Sequence, residues 1–168
     1  MKQPVLFGSG GGAGEWSSIV SITAPAGARV TISGGGEVIV VNINSNGDSY
    51  AVPVHNKLTS YTVTALVEGQ SKSETFTTTN TEGELFYVSI EFGTINLTVG
   101  AEFIAANSEV TCQNQAGTKT ITPQYAGDAV GGVLVFHVPD TDTWIFSADI
   151  GSDTYTVEAI VSDLDVPV

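Results

Sequence analysis

One cysteine, two histidines and five basic side chains in 168 residues leave little material for several kinds of chemistry. With Cys112 alone no intrachain disulfide can form, so the fold must rest on its packing. The histidines, His55 and His137, form no His-x-x-x-His pair and no Cys-x-x-Cys exists, which removes the usual spacings of a zinc site. Eighteen acidic residues against five basic ones give a net charge of −13, with residues 1–93 at −4 and residues 94–168 at −9. No basic surface is present to displace counterions from nucleic acid or to hold anionic lipid, so neither a nucleic-acid nor a membrane partner is expected. No apolar run approaches the roughly 20 residues of a membrane span. Residues 1–7 lack the apolar stretch of a signal peptide, and the expectation is that the chain folds in the cytoplasm. A sustained 3.6-residue apolar repeat is also missing.

What is present is β chemistry. Val, Ile, Thr, Tyr and Phe alternate with polar residues in short runs, broken by Gly, Asn, Ser and Asp. Residues 29–33 and 37–43 are such runs, joined at Gly34-Gly35-Gly36, and residues 60–67 and 72–78 flank Glu68-Gly69-Gln70-Ser71. A second series follows, with Val133-Leu134-Val135-Phe136-His137-Val138 its most apolar member. The two series match: Ala28-Arg29-Val30-Thr31 corresponds to Ser108-Glu109-Val110-Thr111, and Ser60-Tyr61-Thr62-Val63-Thr64-Ala65 to Thr143-Trp144-Ile145-Phe146-Ser147-Ala148. Seven or so short strands per copy, with frequent turns, predict an all-β fold of two tandem immunoglobulin-like sandwiches, residues 19–93 and 94–168. Tyr61 and Trp144 are the expected core aromatics, and the histidines are expected at near-equivalent, structural positions.

Residues 1–18 stand apart. The run Gly8-Ser9-Gly10-Gly11-Gly12-Ala13-Gly14 loses too much backbone entropy on folding to sit inside a sheet and reads as a flexible arm. Val5, Leu6 and Phe7 before it are either a short anchor for a partner or a frayed terminus. Trp16 after it caps the first sandwich or contacts that partner. The formal Gly-x-Gly-x-x-Ala match lacks the strand and helix that would aim it at a dinucleotide. Asp140 and Asp142 form a loop Asp-x-Asp pair, a weak calcium candidate because six to eight converging oxygens are needed. Cys112, in an alternating strand, is expected to be a buried, unreactive thiol. No catalytic residue and no cofactor are expected.

Three short segments carry a family resemblance. Ala24-Pro25-Ala26-Gly27-Ala28-Arg29-Val30-Thr31, the Val52-Pro53 and Val138-Pro139 pairs, and the Tyr61 and Trp144 strands resemble Ig-like modules in virion proteins of tailed phages and prophages of Firmicutes. The likeness covers residues 19 to about 162, and the second copy departs from it by lacking the Pro-Ala-Gly turn. It implies a non-enzymatic virion accessory protein: a capsid decoration, head fibre or tail component, assembled in the host cytoplasm. It further implies attachment to capsid or tail proteins through the arm, a homo-oligomeric state, and possible contact with host-surface glycans. The alternative is a carbohydrate-binding or adhesion module on a bacterial or phage surface.

Overall fold

A computed structural model of the chain describes residues 16–45, 49–162 and 164. Val5, Leu6 and Phe7, the glycine run, and residues 163 and 165–168 lie outside the described residues. The chain is all-β, built of antiparallel sheets with one parallel pairing, and divides into two compact units. Unit 1 runs to Ala65 and resumes over Lys72–Ile90; unit 2 takes Leu66–Ser71 and Glu91–Pro167. The boundary expected between residues 93 and 94 thus falls inside the first strand of unit 2.

Seven strands serve unit 1: β1 (Ser18–Thr23), β2 (Arg29–Gly34), β3 (Glu37–Asn42), β4 (Tyr50–Val54), β5 (Ser60–Val67), β6 (Gln70–Thr77) and β7 (Leu85–Ser89). One sheet has the order β4-β1-β7 and the other β3-β2-β5-β6. β1 runs antiparallel to β4, Ser18 opposite Val54, and parallel to β7, Ile19 opposite Leu85. The β2–β3 turn is closed by Gly35 and Gly36, both at positive φ (57° and 82°), the two-residue geometry that follows the twist of its strands and that only glycine enters cheaply. Val20, Ile22, Val30, Ile32, Tyr61 and Val63 are buried. Tyr61 stacks on Phe76 of β6 (5.3 Å), and Phe76 meets Phe86 of β7 (5.1 Å), so aromatics join the two sheets.

Among the described residues unit 2 has six strands: β8 (Gly93–Thr98), β9 (Glu109–Asn114), β10 (Thr120–Tyr125), β11 (Val133–Val138), β12 (Thr143–Ile150) and β13 (Asp153–Ile160). They form a β10-β9-β12-β13 sheet and a β11-β8 pair. The core draws on both, with Ile95, Leu134 and Phe136 facing Val110, Cys112, Trp144 and Phe146, and the rings of Phe136 and Phe146 5.0 Å apart. One helix, α1 (Ala101–Ala106), was not expected: six residues span too few turns to show a periodicity. Asn107, in the left-handed region at φ 49°, ends it. The ladder of β9 and β10 slips between Ile121 and Gln124, around Pro123, which cannot donate to it.

Candidate functional site

The ionisable side chains gather at turns. In unit 1, Glu37 opens β3, and the tight glycine turn sets it beside the segment that leaves β4. One of its oxygens meets Nδ1 of His55 at 2.7 Å; the other accepts the His55 backbone N–H (3.2 Å) and the Tyr61 hydroxyl (2.8 Å). The Asn56 backbone N–H donates to the same hydroxyl (3.2 Å). Burial pushes the Glu37 carboxyl up, but the hydrogen bonds from His55 and Tyr61 outweigh it and hold the group below its ordinary 4.5. Tyr61 is pushed up, by burial first and by the neighbouring carboxylate next. Gly34 is required here because a β-carbon would lie 2.7 Å from the Tyr61 ring.

Unit 2 holds its aromatic differently. Trp144 lies opposite Asn114, the last residue of β9, as Tyr61 lies against Gly34 at the end of β2. Its indole N–H donates to the Asp140 carbonyl (3.4 Å), and Lys119, in the place of Glu37, pairs with the Asp140 carboxylate. Asp142 accepts from Asn114 Nδ2 (3.1 Å) and from the Thr143 backbone N–H (2.7 Å). The calcium candidates Asp140 and Asp142 are therefore engaged with Lys119, Asn114 and the backbone. Among the described residues no group of three or more His, Cys, Asp or Glu side chains is placed to hold a metal ion.

The histidines do not take equivalent places. Val54 pairs with the first residue of β1 and Val138 with the first of β8; His55 follows its valine, whereas His137 precedes its own. His137 is gripped by Glu68, which accepts its backbone N–H (2.9 Å) and meets its Nδ1 (3.2 Å). Glu68 sits at φ 48°, a left-handed conformation a non-glycine residue adopts only under constraint. Its carbonyl accepts the Thr122 N–H (2.9 Å), and Gln70 Nε2 reaches the Thr120 carbonyl (2.6 Å), so the 66–71 turn binds β10 and β11 together within unit 2. Nothing in the local sequence marks this grip, because its partners are 69 residues apart.

Cys112 is fully buried, and desolvation, aided by the Glu68 charge, pushes its thiol up to about 12. Trp16 is half-buried, its indole N–H enclosed with no hydrogen-bond partner among the described residues. An apolar cleft of about 190 Å³ lies in unit 2 among Leu97, Val99, Phe103, Phe146, Tyr155 and Val157. No protein family, curated protein or solved structure matches the chain.

Proposed function

We propose that the chain is a non-enzymatic virion accessory protein of a tailed phage, a decoration, head-fibre or tail component that displays two Ig-like β units and attaches through residues 1–18. The observation that carries the non-enzymatic half is where the reactive groups are spent. Glu37, His55 and Tyr61 hold a turn, Glu68 and His137 join strands, and the Cys112 thiol is buried and kept protonated. Supporting the virion half are the repeated unit and the segments that resemble phage Ig-like modules. The excess of acid suits a surface displayed in bulk solvent.

The test is incorporation. Particles are purified from a host carrying the gene intact or lacking residues 1–14, and their proteins are identified by mass spectrometry. The intact protein is expected in the particle and the shortened one in the lysate, with the same calorimetric transitions for both. Absence of the intact protein from particles overturns the virion reading; full incorporation of the shortened one overturns attachment through the arm.

A further inference from the structure

One outer face of unit 1 is largely apolar and carries no charge. Val20 and Ile22 of β1 are buried, so Ile19, Ser21 and Thr23 point away from the core. The register of the sheet sets Pro53 of β4 and Leu85 of β7 on either side of Ile19, and Ala51 and Tyr87 on either side of Ser21. Thr23 and Ser89 complete the face. Tyr87 is 78% exposed, Leu85 46% and Ile19 38%, and Ala51 and Pro53 are exposed as well. Scattered apolar side chains on a surface are ordinary, but these are contiguous across three paired strands. In the same phase of the chain the next ionisable side chains, His55 and Glu91, lie past the ends of β4 and β7.

The charge of the chain says what such a face can meet. Each copy carries a net −13. In unit 2 the outer face of the four-stranded sheet presents Glu109, Asp149 and Glu158, all exposed. A basic partner would be drawn to carboxylates of that kind. The outer face of β4-β1-β7 offers an opposite charge nothing to bind. It does let a body of the same strong negative charge approach without setting carboxylate against carboxylate. A second copy of the chain is such a body.

The face is also complementary to itself. Leu85 and Tyr87 raise its β7 margin, while Ala51 and Pro53 leave its β4 margin low. A two-fold axis along β1, in the plane of contact, lays the β7 of one copy over the β4 of the other. Tyr87 of each copy then covers Ala51 of the other, and Leu85 covers Pro53, a tall margin on a low one. Two sheets meeting face to face in this way cross at about 30°. Three strands about 5 Å apart, over five residues of about 3.3 Å each, make a face of about 15 Å by 17 Å. That is less than the roughly 800 Å² per partner of a standard interface, so the pairing is weak and concentration-dependent. The net charge of each copy opposes it further, and salt relieves that opposition.

We propose that the outer face of the β4-β1-β7 sheet, centred on Ile19, Leu85 and Tyr87, is the surface through which two copies of the chain pair about a two-fold axis. The pairing does not depend on the protein belonging to a virion.

Sedimentation of the full chain tests it, over concentrations from about 10 µM to about 1 mM. The average mass should rise with concentration and rise further when salt is added. Leu85→Asp with Tyr87→Asp puts carboxylates into the contact and should raise the dissociation constant at least about tenfold. Both side chains point outward, so the calorimetric transitions should remain. A monomer at every concentration overturns the proposal, as does association that survives the two substitutions or weakens with salt. Pairing that appears only once residues 1–14 are removed also overturns it, and makes the arm the occupant of the face. Should the double variant fail to fold, Ser21→Cys and a short bismaleimide decide, with the buried Cys112 as internal control. The two cysteines would face each other across the axis at the spacing of packed sheets, about 10 Å. They should link two copies at least about ten times faster than Thr64→Cys, which lies on the outer face of the other sheet, where no such spacing is set. Equal rates overturn the proposal.

Discussion

The two units solve one problem with different residues. Each buries a large aromatic at the start of its central strand and must tie that ring's polar atom to the turn before it. Unit 1 uses Tyr61, whose hydroxyl lies between Glu37 and Asn56; unit 2 uses Trp144, whose indole N–H reaches the Asp140 carbonyl. The smaller ring in unit 1 is backed by Phe76, while the larger ring in unit 2 faces Ala159. Charge is exchanged as well, Glu37 with His55 becoming Lys119 with Asp140. What the two units share is therefore a buried ring and a tied polar tip, held by different residues.

The largest expected effect is on that volume. Trp144→Ala should cost about 3–5 kcal/mol, since neighbours in a filled core relax only partly around a lost ring. Tyr61→Trp in unit 1 should be destabilising because Phe76 already occupies the space, and Phe76→Ala added to it should recover part of the loss. Calorimetry on the single and double variants measures the coupling; strict additivity would show that the two positions do not share a volume. Second in size is Glu68. Glu68→Ala removes the acceptor of the His137 N–H and should cost about 2–3 kcal/mol. Glu68→Gly should be milder by about 1 kcal/mol, because glycine takes the positive φ without strain. Equal losses would mean that φ at this position is unstrained.

These contrasts mark how far the sequence could be read. Periodicity of two and glycines at 35, 36 and 69 mark strands and tight turns, because the signal is local. The matching Tyr61 and Trp144 segments mark two strands that each carry a buried aromatic. The Glu68–His137 grip, the parallel pairing of β7 with β1 and the different places of the two histidines depend on register and on residues far apart in the chain. No local pattern encodes them. Lys119 and Asp140 show the same limit: their exchange for Glu37 and His55 is visible only once Gly34 and Asn114 are seen at the same point of the ladder.

The smallest effects separate the two charged ties. Lys119 and Asp140 are both substantially exposed, so Lys119→Ala should change stability by no more than about 0.5 kcal/mol. Glu37 is different because its carboxylate is stabilised by the fold. A carboxyl held below its unfolded value contributes stability above that value and loses it as pH falls through the folded one. Glu37→Gln should therefore lower the melting temperature at pH 7, and the gap to the wild type should close as pH falls below the ordinary 4.5 of a glutamate. A gap that stays constant as the pH falls would show that the hydrogen bonds, and not the charge they favour, make up what Glu37 contributes.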